Sequence, residues 1–391
     1  MKIIFSHYGT LDGGDASGFT RSFLLATELA KLNNQVIFLT TQAKGLRLPY
    51  KKEIRDGVKI YAFPDFSPVS MRKGGFALVS ALCKCVFVLF KRADIVHSDT
   101  GHRPASGWPC SLHRLIYKSK YYSEWWEHFG KGGIFDDMAI WYKYTVGLYD
   151  KIFEIRNRTT ADGCITISQE LRKRALTAGI PEERILVLNG GADVNNIPFS
   201  HKSEKSKEAF DVILIGIIGI NDAEIINHLN LIKAIKALNC NKQKYLIIGT
   251  GKVSKTLIEK YNLTECIQFI SWLPYQEFCS LLSSIDIFAL FQKDNLRNKS
   301  RFPNKLGDYI AASRPILTNG IGEVAIYLER YPEAFFYTRN LIEDIQEAII
   351  RLTNRIKSNG IKYSDIRNIA IENSWSKRAE VLNDFYMKCY S

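Results

Sequence analysis

Between Ser300 and Glu323 the chain reads SRFPNKLGDYIAASRPILTNGIGE, and these residue types at these spacings suit the holding of an anion. Pro303 fits the first position of a helix, where its missing N–H costs nothing. Lys305 and Asp308, three apart, then share a helix face. Arg314-Pro315 stops that helix, Ile316-Leu317 is apolar enough for a short buried strand, and Thr318-Asn319-Gly320-Ile321-Gly322 is a glycine-broken loop before a helical run that opens at Glu323. A helix N-terminus presents unpaired N–H groups at the positive end of its dipole, so both helix starts offer seats for phosphate oxygens. Lys305 adds a full charge, and the ligand class this combination fits is a diphosphate. The plain alternative is a solvated Lys305, with Asp308 merely complementing the dipole.

The elements that position such a site come from the whole chain. Its 391 residues are enough for two domains, and 46% hydrophobic with 24% charged residues is ordinary for a globular protein. The net charge of +13 favours an anionic partner. The basic residues are scattered, not interleaved with aromatics, so nucleic acid is excluded in favour of a nucleotide-like substrate or an anionic membrane surface. Eight cysteines are spread without a CxxC pair, which leaves zinc and redox motifs unsupported and fits a reducing cytosol. Lys2-Ile3-Ile4-Phe5 leads directly into a strand, so no secretory signal is expected. Phe76–Phe90, FALVSALCKCVFVLF, is too short to span a bilayer and carries Lys84. Flanked by Lys73 and by Lys91-Arg92, it reads either as an amphipathic helix lying on an anionic bilayer or as a buried helix.

Strand and helix patterns alternate. After Lys2–Phe5 comes a loop with Gly9, Gly13, Gly14 and Gly18, then a helical face in Thr20–Leu32 and a continuous apolar run, Gln35–Thr40. That is a βαβ unit, whose loop belongs at the carboxyl edge of the sheet where ligands bind. Val58–Ala62, Ile95–Ser98, Tyr121–Trp125, Cys164–Ser168 and Ile185–Leu188 read as further strands. Ser200–Glu208, SHKSEKSKE, is polar without an apolar period and predicts a linker. A second series follows: strands at Val212–Ile220, Tyr245–Gly249, Ile267–Ile270 and Asp286–Leu290 between helical stretches. The fold class is α/β, with two doubly wound Rossmann-like domains facing a cleft, over residues 1–200 and 201–372, and a terminal helix over 373–391.

Five stretches carry a family resemblance through their order and spacing. They are the Gly13-Gly14 loop with its helix and strand; Glu124-Trp125-Trp126-Glu127-His128-Phe129-Gly130; Arg184 to Asp193; Phe269 to Leu273 with Asp286-Ile287; and Phe302-Pro303-Asn304-Lys305-Leu306-Gly307-Asp308-Tyr309 with Arg314-Pro315. Together they resemble glycosyltransferases of the GT-B architecture, most of all glycosyltransferase family 4, over nearly the whole length. The resemblance implies transfer of a sugar from a nucleoside-diphosphate sugar to a glycan or lipid-linked acceptor at the cytoplasmic membrane face. It also implies retention of configuration, no cofactor and no metal, with which the lack of a clear DxD pair agrees. The last helix would cross back onto the first domain, with Trp375 as a packing anchor.

On that resemblance, Lys305 and the N–H groups of Gly320, Ile321 and Gly322 meet the charge growing on the diphosphate. Asp308 meets the donor ribose or phosphate edge, Glu323 receives donor hydroxyls, Trp272 and Leu273 adjoin the base, and Gly13 and Gly14 form an acceptor or phosphate loop. His128 is the acceptor-side choice, its pKa range suiting a hydrogen bond to a sugar hydroxyl. Glu127 and Glu124 stand beside it as alternatives, and a loop-supporting histidine is the structural one. His97, Asp99 and His102 cluster after a predicted strand, also at the cleft-facing edge, with ordinary loop polarity as the plain reading, and Arg21 reads as helix surface. Two departures fall on the donor side. Family members often carry two glutamates eight apart, where this chain has Ser300 and Asp308. They also often carry an Arg and a Lys after the first strand of the second domain, where this chain reads Gly216 to Glu224 with neither. Lys305, helix N-termini, or residues such as Arg297, Lys299 and Arg301 must then supply the charge. A sugar-nucleotide 2-epimerase and a non-catalytic nucleotide-binding member are the competing readings.

Overall fold

The computed structural model describes residues 1–10, 17–43, 47–199, 212–239, 243–271 and 273–390. The linker expected at Ser200–Glu208 lies outside the described residues. The chain forms two compact units: Met1–Gly191 with Asn295–Phe302 and Trp375–Ser391, and Ala192–Asp294 with Pro303–Ser374.

The first unit is built on a sheet of β1 (Lys2–Thr10), β2 (Gln35–Thr41), β3 (Lys51–Arg55), β4 (Val58–Phe63), β5 (Ile95–Ser98), β6 (Lys120–Trp125), β7 (Gly163–Thr166) and β8 (Ile185–Val187). Their order is 3-4-2-1-5-6-7-8. All pairs are parallel except β3 with β4, a charged antiparallel edge. Helices α1 (Ser17–Lys31), α2 (Leu78–Val88), α3 (Pro104–Tyr117), α4 (Val146–Thr160) and α5 (Gln169–Thr177) alternate with the strands. One core layer joins Phe5 and Phe38 to Leu25 and Leu29 of α1 and to Leu382 and Tyr386 of the C-terminal helix Trp375–Tyr390. The other joins Ile4, Leu39 and Tyr121 to Val88 of α2 and Cys110 of α3. Each such fully buried side chain contributes roughly 1.5–3 kcal/mol. Trp375 packs on the first layer, so closely over Gly191 that a Cβ there would meet its ring at 2.6 Å.

The second unit is wholly parallel: β9 (Val212–Ile220), β10 (Lys244–Gly251), β11 (Ile267–Ile270), β12 (Ile287–Leu290), β13 (Ile316–Thr318) and β14 (Phe335–Tyr337), ordered 11-10-9-12-13-14. The run VILIGIIGI of β9 is apolar throughout because both of its faces are covered. Helices α6 (Asp222–Asn227), α7 (Lys305–Ala311) and α8 (Glu323–Arg330) follow β9, β12 and β13. Both sheets reverse their winding at one point, between β1 and β5 and between β9 and β12, the arrangement of doubly wound α/β folds.

Two local expectations are corrected. Pro303 precedes α7 instead of opening it: Leu306 and Gly307 donate to the carbonyls of Pro303 (2.8 Å) and Asn304 (3.1 Å), a tighter lead-in turn, before the helix starts at Lys305. Arg314 does more than stop the helix; fully buried, it donates to the carbonyls of Ile285 (2.9 Å) and Ser283 (3.0 Å).

Candidate functional site

In the second unit, Glu224, Lys305 and Glu323 head the crossover helices after β9, β12 and β13, so the topology sets all three at the carboxyl edge of the sheet. Asn221 caps α6 by accepting the Glu224 N–H (3.0 Å). Beneath the site, buried His228 takes the Phe291 N–H on Nε2 (3.3 Å) and gives its Nδ1–H to the Glu224 carbonyl (2.7 Å). Burial holds its pKa down, which keeps it neutral. Tyr309 stacks on Phe288 at 4.0 Å and its hydroxyl accepts the Ile218 N–H (3.0 Å), fastening α7 to the end of β9.

Lys305 is not the solvated lysine of the plain reading. It is half-buried, and its Nζ donates to Glu224 Oε2 at 2.8 Å. Asp308, one turn on, faces Asp193, which accepts the Tyr275 hydroxyl (2.5 Å). Burial, then the Asp193 charge, pushes the Asp308 carboxyl up to about 7. Lys305 and Asp308 therefore serve different partners, although they lie on one helix. Gly320 and Gly322 both have φ +60, a backbone that favours glycine, and Gly322 leads into α8. Asn319 ties this loop to the one after β12 through two bonds with the Gln292 backbone (3.0 and 2.7 Å). Ile321 is half-buried, Glu323 is buried in the first turn of α8, and Leu273 is half-buried after β11. Trp272 lies outside the described residues. Ser300 belongs to the first unit; its Oγ donates to the Leu296 carbonyl (2.7 Å) and its own carbonyl accepts the Ser168 hydroxyl (2.7 Å).

In the first unit, Glu127 is paired with Arg301 at 2.6 Å. His128 is half-buried beside it, and burial, then the Arg174 charge, pulls its pKa down to about 4. Its buried Nδ1 has no hydrogen-bond partner among the described residues. The turn closes so tightly that a Cβ on Gly133 would sit 1.9 Å from the His128 carbonyl oxygen. Gly13 and Gly14 lie outside the described residues.

Two clusters form around Asp99 and Glu124, with partners that the sequence reading did not assign to them. At the winding reversal, His7 Nδ1 is hydrogen-bonded to Asp99 Oδ2, and the same carboxylate accepts the Ser22 hydroxyl (2.9 Å), the Ser106 hydroxyl (3.1 Å) and the Tyr8 N–H (3.1 Å). Asp99 is thus a buried hub and not loop polarity. Arg21 is only 2% exposed, so it is not helix surface. It donates to Glu124 (3.3 Å) and to the carbonyls of Leu188 (2.8 Å) and Asn189 (3.0 Å). Burial would raise the Glu124 pKa, but Arg21 and His97 outweigh it and hold the carboxyl at about 2. Glu124 is accordingly an internal ion-pair partner. The available signal was the polar pair Ser6-His7 directly after the apolar run Ile3-Ile4-Phe5 of β1.

Residues 212–355 match the family described as glycosyl transferases group 1. No curated protein matches the chain in sequence. A sucrose-phosphate synthase from Thermosynechococcus elongatus shares the fold at TM-score 0.70 and 11% identity, over 100% of this chain and 98% of that one. A glycosyltransferase from Rickettsia africae does so at 0.67 and 14%, over 99% and 98%. HepE of Anabaena, in complex with UDP-glucose, does so at 0.64 and 14%, over 99% and 100%. The family match lies on the unit that carries Lys305 and Glu323, and the fold shared with these structures over the whole length is the GT-B architecture.

Proposed function

We propose that the chain transfers a sugar from a nucleoside-diphosphate sugar to a hydroxyl of a glycan or lipid-linked acceptor. The observation that carries this reading is the family match over 212–355, which contains Lys305, Asp308, Gly320–Gly322 and Glu323. The UDP-glucose held by HepE supports the donor class. As the bond from the anomeric carbon to the diphosphate breaks, negative charge grows on the leaving oxygen. Lys305 and the N-terminus of α8 meet that charge, with no divalent ion. Asp308 takes the ribose or phosphate edge, Glu323 the sugar hydroxyls, and Trp272 and Leu273 the base. The acceptor oxygen bonds to the anomeric carbon, with retention, and its proton passes to the departing diphosphate. His128 orients that hydroxyl, Glu127 supports it, and Gly13 and Gly14 line the acceptor or phosphate loop. The protein works in the cytoplasm, peripheral at the inner face of the membrane, where a lipid-linked acceptor is presented.

The reading is tested by titrating UDP, GDP, ADP and TDP calorimetrically, then following hydrolysis of the sugar conjugate of the best binder with and without EDTA. Binding with slow, EDTA-resistant hydrolysis is the expected result; no nucleoside diphosphate binding would refute it. Conversion of the donor to an epimer in the absence of acceptor would instead identify an epimerase. A second reading, nucleotide binding without turnover, is favoured by the Lys305–Glu224 pair and by the inward-turned Ser300.

A further inference from the structure

Helix α2 is apolar on its outer side as well as its inner one, where Val88, Cys83 and Phe87 meet the core. A helix on the surface of a globular protein turns its apolar stripe inward, yet the buried positions of α2 are Ser80, Ala81, Lys84 and Val88. Lys84 is fully buried and donates to the carbonyls of His7 (2.8 Å) and Ala105 (2.9 Å). The outward positions are Leu78, Val79, Leu82 and Val86, 39–58% exposed, and Phe90 just beyond is 77% exposed.

The neighbouring helices extend the same surface. Leu115 of α3 is 78% exposed, and Leu148 and Ile152 of α4 are about half exposed. The His113 Nε2–H of α3 donates to the Lys91 carbonyl (2.8 Å), and the Trp108 indole of α3 donates to the Tyr149 hydroxyl of α4 (3.2 Å). These bonds tie α3 to the segment after α2 and to α4, and the three helices, as crossovers from β4 to β5, β5 to β6 and β6 to β7, cover one face of the sheet.

The solvent-facing charges on the three helices themselves are all basic. No Asp or Glu occurs between Asp65 and Asp94, or between Asp99 and Glu124. The acids of α4, Asp150 and Glu154, are buried, while its exposed charges include Lys151 and Arg156. Lys91 lies over the Phe87 ring at 5.6 Å and Arg92 over Tyr117 at 5.7 Å, which holds both stems along the apolar surface. A second copy docked on this face would set cation against cation. A partner that accepts exposed leucines and attracts lysines at once is an anionic lipid surface, with acyl chains beneath phosphate headgroups. No helix among the described residues is long and apolar enough to cross a membrane, so the contact is superficial.

We propose that the outer face of α2, α3 and α4 docks on an anionic bilayer, with Leu82, Val86, Phe90 and Leu115 entering the acyl boundary and Lys91 and Arg92 on the headgroups. This deepens the peripheral location given above, but it is tested without donor or acceptor, so its failure leaves the glycosyl-transfer reading standing. The full chain is floated with vesicles of phosphatidylglycerol and phosphatidylcholine in equal parts, and with phosphatidylcholine alone, at low and high salt. Expected are flotation with the anionic vesicles, little with the neutral ones, and release by salt. Leu82→Glu with Val86→Glu, and separately Lys91→Glu with Arg92→Glu, should each lower the partition constant about tenfold or more. Leu82→Ser with Val86→Ser serves as the milder apolar variant, and circular dichroism checks that each is folded. Wild-type chain that stays with the buffer, or folded variants that float like the wild type, would overturn the proposal. So would a vesicle-free dimer in analytical ultracentrifugation that Leu82→Glu with Val86→Glu dissolves, since the face would then be an interface between copies.

Discussion

The Lys305 ammonium and the Glu224 carboxylate, 2.8 Å apart, join the first turns of two crossover helices at the carboxyl edge of the second sheet. Glu224 stands in the stretch where the resembled family often has bases, so an internal anion already holds the cation that a diphosphate needs. On the proposed function, a diphosphate has to displace it. Glu224→Gln is therefore expected to tighten UDP binding by roughly tenfold, and Lys305→Ala to weaken it by more than roughly 1.5 kcal/mol. In the Lys305→Ala background the Glu224→Gln gain should vanish, which a double-mutant cycle by calorimetry measures directly. Unchanged affinity in folded Lys305→Ala would remove Lys305 from the diphosphate site.

Asp308 gives the second unit a pH dependence. Burial and Asp193 raise its carboxyl to about 7 from an ordinary carboxylate value. The folded state then binds a proton that the unfolded state has lost, so stability falls as pH rises between the two values. Asp308→Asn removes the ionisable group. Its Tm should exceed that of the wild type at pH 8, and the difference should close below about pH 4. Thermal melts across pH 4–8 check this, and parallel curves would refute a proton-holding Asp308.

The doubly wound plan was legible because β2 and β9 are continuous apolar runs, which only a sheet covered on both faces requires. The glycines after Asn319 were legible for a related reason, since φ +60 singles out that residue type. Arg21 and Asp99 were misread because what decides their role is a partner far away in sequence: Glu124 lies 103 residues from Arg21, and His7 lies 92 from Asp99. Periodicity finds an amphipathic helix at Phe76–Phe90 but does not say which side faces in. Lys84 on the inner side of α2 reverses the usual inference.

The Arg21–Glu124 pair is expected to be structural. With both side chains at most 2% exposed, removing one partner leaves an uncompensated buried charge, at a cost of about 3–5 kcal/mol. Arg21→Met should lose that much in urea unfolding, and Arg21→Met with Glu124→Gln should recover most of it. The depressed Glu124 pKa adds a sign: its stabilisation is full above pH 4.5 and is lost as pH falls toward 2. A wild-type-like midpoint for Arg21→Met would show that the pair contributes nothing.

His128 separates orientation of an acceptor from support of a loop. Burial and Arg174 pull its pKa down to about 4, so the ring is neutral at pH 7 and able to accept a hydrogen bond from a sugar hydroxyl. An orienting or proton-accepting role predicts that His128→Ala keeps donor affinity but lowers kcat for transfer by about 10²–10⁴-fold. It also predicts that the wild-type rate has no inflection from this residue between pH 6 and 8, falling only as pH approaches 4. A histidine that merely props the turn at Gly133 gives a different pattern. Thermal stability drops in His128→Ala, donor and acceptor KM rise together, and kcat per folded molecule is retained. Measuring kcat, KM and Tm on one preparation distinguishes the two, and retained kcat would move the search for the acceptor-side base to His7 and Asp99 at the β1–β5 reversal.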